Sequence, residues 1–159
     1  MTDTTPTESN LSGLDRKDFQ KNINSRKTDL YILKNAQGME VAVTNYGCAI
    51  LSIMVPDKNG KFANVILGHD SIEHVINSPE PFLSTTIGRY GNRIANGKFT
   101  LYGEEHQLTV NNGPNSLHGG PTGFHARVWD AVQPNESTVI FNYTSADGEQ
   151  GFPVTLEVV

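Results

Sequence analysis

The sequence predicts an all-β protein, an antiparallel β-sandwich assembled from many short strands, and three observations carry that expectation. Apolar residues recur at every second position over strand-length segments, the period of a half-buried strand. Clusters of Gly, Asn, Asp and Pro separate those segments and supply the backbone angles of tight turns. A helical signature is found in one short stretch only. Composition points the same way. Hydrophobic residues make up 36% and charged residues 18%, and 15 glycines help fill the difference, which suits a turn-rich β protein better than a helical bundle. At 159 residues the chain is long enough to bury a core of its own.

Taken in order, residues 1–27 hold Thr, Ser, Asn, Asp and Lys with few large apolar groups, and read as a flexible polar leader with a short helical turn near Leu14–Phe19. Residues 28–159 read as the sandwich domain. Leu30–Leu33 is the first strand, and Asn35–Gly38 turns it into Met39–Tyr46, with Met39, Val41 and Val43 on one face. Leu51, Ile53 and Val55 line the next strand, which Pro56–Gly60 ends, and Ala63–Leu67 follows. Asp70–Asn77 is the helix, capped by Asp70 or Ser71 and stopped by Pro79. Pro79–Asn96 shows no clear period. Strands resume at Lys98–Tyr102 and Gln107–Val110, joined across Gly103–Glu105. A loop from Asn111 to Gly123, with four glycines and two prolines, leads to Val128–Val132, Thr138–Tyr143 and Val154–Val159. The last segment alternates strongly and is cut by the chain end, so the sandwich is expected to be an incomplete, C-terminally truncated copy, a fragment with an exposed edge.

Charge narrows the function classes. The net charge is −5 and no Lys/Arg run exceeds two, which argues against nucleic acid as a partner. No apolar run approaches membrane-spanning length, and the first residues lack the basic and apolar parts of a secretory signal, so the expected location is cytoplasmic. The single cysteine, Cys48, lies in an apolar segment and reads as a buried structural thiol. His69 and His74 are five apart, wrong for two ligands on one helical face, and no metal site is expected from the histidines. GxSxG, Walker and GxGxxG patterns are all absent.

Two clusters remain for chemistry. Gly88–Phe99 (GRYGNRIANGKF) gathers Arg89, Asn92, Arg93 and Asn96 around three glycines. Guanidinium donors and amide donor–acceptors are the mixture that sugar hydroxyls require, although the same residues also describe a polar loop with its arginines paired to surface carboxylates. In the second cluster, Asn111–Gly120 (NNGPNSLHGG), His118 precedes a glycine pair that would let a ligand approach the imidazole and the nearby backbone. The competing reading is a loop histidine bonded to a neighbouring carbonyl. Trp129 suits either stacking on a sugar ring or packing in the core.

With both clusters in this order and spacing, the chain resembles the aldose 1-epimerase (galactose mutarotase) family from about Gly13 to its end. The likeness runs through TNYGCAILSIMVPDKNG, NVILGHDSIEHVI, IGRYGNRIANGKF and NNGPNSLHGGPTGF. The resemblance implies a mutarotase-like β-sandwich and an isomerase of carbohydrate metabolism that interconverts the α and β anomers of hexoses such as galactose and glucose. It implies an aldose sugar as the partner and no cofactor or metal. It assigns substrate binding to Asn92, Arg93 and His118, with His118 also assisting catalysis near the reacting end of the sugar. The family's principal acid, a histidine in an Asn-His-Ser-type motif, and its base, a late glutamate, have no counterpart in this sequence, so little or no turnover is expected from these 159 residues alone. A non-catalytic carbohydrate-binding module is the alternative. An enzyme acting on hexose 6-phosphates would need further basic groups, and Arg89 and Arg93 are the candidates.

Overall fold

The computed structural model describes residues 10–159, and antiparallel strands dominate their regular structure. A short hairpin comes first, β1 (Asn22–Ile23) with β2 (Arg26–Lys27). The widest sheet follows in simple meander order: β3 (Leu30–Lys34), β4 (Glu40–Thr44), β5 (Ile50–Pro56) and β6 (Phe62–Asn64). After helix α1 (Ile72–Ile76) come β7 (Arg93–Ile94), β8 (Lys98–Leu101), β9 (Glu104–Gln107) and β10 (Ser116–Leu117). A second meander, β11 (Asp130–Asn135), β12 (Thr138–Ser145) and β13 (Leu156–Val158), completes the described chain. It meets the first sheet at β3, where Tyr31 sets its ring edge-on to Phe141 with centroids 6.0 Å apart, and the Gln133 amide donates to the Ile32 carbonyl. No helix among the described residues is long and apolar enough to cross a membrane.

The core lies between the first sheet and α1. Phe19, Leu30, Ala42, Ala49, Leu51, Ile72 and Val75 form one buried cluster. Ser71 caps α1, its hydroxyl accepting the His74 N–H at 3.3 Å. Burial in β4 does not follow simple alternation: Glu40, Ala42 and Thr44 are fully buried and Val43 is buried as well, while Val41 is only partly so. Alternation misses this because Glu40, a charged group, occupies the inner face with partners supplied by the fold. The Glu40 carboxylate accepts the backbone N–H groups of Leu11 at 2.9 Å and Ser12 at 3.1 Å, which compensates its burial.

Those bonds also correct the reading of residues 10–27 as a flexible leader. Phe19 is fully buried in the main cluster, Thr28 ties the Phe19 and Lys21 carbonyls, and Arg16 forks onto Asp29 at 2.6 and 2.7 Å. A polar composition concealed one deeply anchored aromatic. The helical turn expected near Leu14–Phe19 is a 3-10 turn at Arg16–Phe19, whereas residues 1–9 of the proposed leader lie outside the described residues.

Two further differences have local causes. Tyr102 and Gly103 both take positive φ, 52° and 87°, and close a two-residue hairpin between β8 and β9. The strand expected at Gln107–Val110 is therefore Glu104–Gln107, and residues 108–110 lie outside it. Trp129 is 3% exposed and packs against Phe124 and Tyr143, its indole N–H donating to the Phe124 carbonyl at 3.2 Å. It is a core residue.

Candidate functional site

The two polar loops singled out in the sequence are neighbours in space. β7 pairs with β10, with Arg93 opposite Leu117 and Ile94 opposite Ser116. Asparagines from the second loop reinforce the junction. The Asn111 amide both donates to and accepts from the Leu117 backbone, at 3.0 and 2.7 Å, and Asn115 Oδ1 accepts the Asn96 N–H at 3.2 Å. An asparagine side chain thus stands in for a strand partner where the chain bends too sharply to supply one.

The same junction sets Asn92, Arg93 and His118 together. Asn92 and His118 exchange bonds: the Asn92 N–H donates to His118 Nδ1 at 3.0 Å, and the His118 N–H donates to the Asn92 carbonyl at 3.0 Å. With Nδ1 held as an acceptor, the ring proton of the neutral imidazole sits on Nε2, which is left as a donor. Arg93 Nε donates to Asn112 Oδ1 at 2.8 Å and its Nη1 to Asn92 Oδ1 at 3.3 Å, which fixes the guanidinium plane. Asn92 and Arg93 are exposed and His118 is half-buried. Asn92 and His118 both adopt left-handed backbone angles, φ 67° and 54°, in the region that Asn and His tolerate better than most residues. Arg93 also borders an open cleft of about 490 Å³ that Arg89, Tyr90, Ile94, Phe99 and Phe152 wall with it.

The glycines after His118 serve the protein rather than a ligand, contrary to the sequence reading. A Cβ on Gly119 would lie 1.7 Å from the Gly88 carbonyl oxygen, so Gly119 makes room for the other loop. Behind His118 stands Phe82, whose ring centroid is 4.8 Å from the His118 ring and 4.6 Å from that of His125. His125 is 5% exposed, and burial lowers its imidazole to about 4, with the charges of His118 and Arg127 acting in the same direction. Its Nδ1 has no hydrogen-bond partner. Phe82 lies in the stretch without periodicity, and no motif in the sequence marks His125.

Arg89 is not available to a ligand. All five of its N–H donors are engaged within the protein, on Ser145 Oγ and on the carbonyls of Ser145, Ala146, Pro153 and Val154, at 2.8–2.9 Å. This removes it as a phosphate-binding candidate. Glu149 accepts bonds from Tyr143, Ser145 and Arg127.

The architecture and the loops define an all-β, antiparallel protein that presents an amide, a guanidinium and an imidazole from two interlocked turns. The chain belongs to the aldose 1-epimerase family, whose sequence profile matches residues 29–159. It is similar to the galactose mutarotase of Bos taurus, 41% identical over 120 residues, which are 76% of this chain and 34% of that protein. It is also similar to the aldose 1-epimerase of Escherichia coli K12, 42% identical over 127 residues, 80% of this chain and 36% of that protein. Among solved structures, the aldose epimerase homologue from C. elegans superposes with a TM-score of 0.76 at 31% identity, covering 82% of this chain and 40% of that one. The galactose 1-epimerase of Lactobacillus acidophilus gives 0.74 at 30% identity, covering 86% and 40%. The fold is therefore the mutarotase-like β-sandwich, and the chain spans little more than a third of the length of the curated relatives it matches.

Proposed function

We propose that this chain carries the sugar-recognition part of an aldose 1-epimerase site, in which Asn92, Arg93 and His118 hold an aldose such as galactose or glucose by its oxygens. The observation that carries this reading is their convergence: residues 26 apart in sequence are locked by reciprocal hydrogen bonds. The Asn92 amide nitrogen, Arg93 Nη2 and His118 Nε2–H are then donors without a hydrogen-bond partner among the described residues. Donors fixed in place before the ligand arrives suit the lone pairs of hydroxyl and ring oxygens, because little ordering remains to be done on binding.

Anomer interconversion needs a base for the anomeric hydroxyl proton and an acid at the ring oxygen. The C1–O5 bond opens, the aldehyde turns about C1–C2, and the ring recloses on its other face. A neutral His118 bearing its proton on Nε2 suits the donor side of that exchange and would polarise an oxygen near the reacting end. Among the described residues no carboxylate hydrogen-bonds to these three side chains, so the trio holds no base. We infer that the principal acid and base come from other residues of a complete epimerase site, and that this chain alone grips a sugar with little turnover. A non-catalytic carbohydrate-binding role draws on the same absence of a base.

Galactose titration and polarimetry of freshly dissolved α-D-galactose test both parts. Saturable binding is expected, weakened about tenfold or more by Arg93→Met, with optical rotation decaying near the spontaneous rate. No binding up to about 100 mM galactose, glucose or xylose would contradict the recognition role. Acceleration of the decay by the chain, lost in Arg93→Met, would show that the acid–base pair is already present.

A further inference from the structure

We propose that Arg89 is a positioning residue of this site, an internal anchor that sets the Asn92–His118 pair from behind. The sugar-binding role of that pair rests on the reading above, but the anchoring does not.

The loop that carries Asn92 is held at two adjacent residues. At Gly88, the carbonyl accepts the Phe124 N–H at 3.2 Å and fills the space that a side chain on Gly119 would need. At Arg89, the guanidinium ties the loop to the connection between β12 and β13. Nε donates to the buried Ser145 hydroxyl, Nη2 to the carbonyls of Ser145 and Ala146, and Nη1 to those of Pro153 and Val154. A lysine cannot reproduce this arrangement, since its three donors diverge from one nitrogen and cannot span both sides of the connection.

The anchor continues beyond the guanidinium. Ser145 Oγ donates its own hydrogen bond to Glu149 Oε2, and Glu149 Oε1 accepts from the Tyr143 hydroxyl at 2.6 Å and from Arg127 at 2.5 Å. Arg127 follows the turn of Phe124–Ala126 that places His125 against Phe82, and Phe82 in turn packs on the His118 ring. The Asn92–His118 pair is therefore reached from both sides, by hydrogen bonds through Arg89 on the Asn92 side and, beyond Arg127, by ring packing of His125 and Phe82 on the His118 side. Only Tyr90 and Gly91 separate Arg89 from Asn92. A shift of the Arg89 backbone is thus passed to the Asn92 N–H that fixes the His118 tautomer.

The test reads His118 directly. Arg89→Met keeps the aliphatic length and removes every donor. In the ¹⁵N-labelled full chain, with thermal unfolding as the check on folding, the imidazole shifts of wild type should report one tautomer protonated at Nε2. In Arg89→Met they should move toward a mixture of tautomers, galactose affinity should fall about tenfold or more, and Arg89→Lys should recover only part of either. Should Arg89→Met not fold, Ser145→Ala removes one of the five acceptors and should move His118 less but in the same direction. A folded Arg89→Met or Ser145→Ala protein with unchanged His118 shifts and unchanged galactose affinity would overturn the proposal. A wild type that binds no galactose, whose His118 shifts nevertheless move in Arg89→Met, would support the anchor and contradict only the sugar reading.

Discussion

Cys48 and His125 are two single residues whose surroundings set their chemistry. Burial pushes the Cys48 thiol up to about 12, with a Thr86 hydrogen bond opposing it only weakly. The thiolate is the reactive form, so native protein at pH 8 should react with iodoacetamide on the order of 100-fold more slowly than protein in denaturant. Equal rates in the two states would refute a buried structural thiol. The His125 imidazole is lowered to about 4 by burial, then by His118 and Arg127, whereas an unfolded histidine titrates near 6.5. As pH falls, the unfolded chain takes up this proton first. The contribution to stability is complete above about pH 6.5, is lost through the window down to about pH 4, and is constant below it. The loss is on the order of 3 kcal/mol, and urea unfolding of wild type and His125→Phe at pH 7, 5.5 and 4 measures it, since only the wild type should show this component. At this scale the two polar clusters were legible because donor-rich residues beside turn glycines leave a visible pattern, and it is the family resemblance that points within them to Asn92, Arg93 and His118. The roles of Arg89, Glu40 and Glu149 were not legible, because their partners are carbonyls, backbone N–H groups and side chains brought close only by the fold.

Elements were legible wherever turn chemistry and alternation agreed. The β3–β4 hairpin through Asn35–Gly38 and the short helix capped by Ser71 follow from local residues alone. The burial of Glu40 on β4 could not be read, because its carboxylate is satisfied by the Leu11 and Ser12 N–H groups, which are distant in sequence and which alternation does not encode. The interlocking of the two site loops was also invisible, and it supplies a prediction. Gly119→Ala would place a methyl 1.7 Å from the Gly88 oxygen at a φ of +85°, forcing the loops apart. It should cost more than about 2 kcal/mol of stability and abolish the His118–Asn92 bond. Gly148→Ala, at a similar φ of +81° but with open space around it, should cost only about 1 kcal/mol. Similar losses for the two variants in denaturant titrations would show that contact with Gly88 is unimportant.

For the whole molecule, the all-β meander architecture was written in the spacing of short strands, and the solved relatives share it at TM-scores of 0.76 and 0.74. The share of the core contributed by residues 10–27 was not, because a single buried Phe19 within a polar segment carries it. The central claim is that this sandwich holds Asn92, Arg93 and His118 together as one sugar-recognition surface. Galactose titration followed residue by residue on the ¹⁵N-labelled chain tests it most directly. The account predicts saturable shifts concentrated at the Asn92 backbone and side-chain amides, Arg93 Nε–H and the His118 ring, all fitting one dissociation constant. Shifts that cluster elsewhere on the sandwich, or that leave these three residues unmoved at saturation, would contradict it.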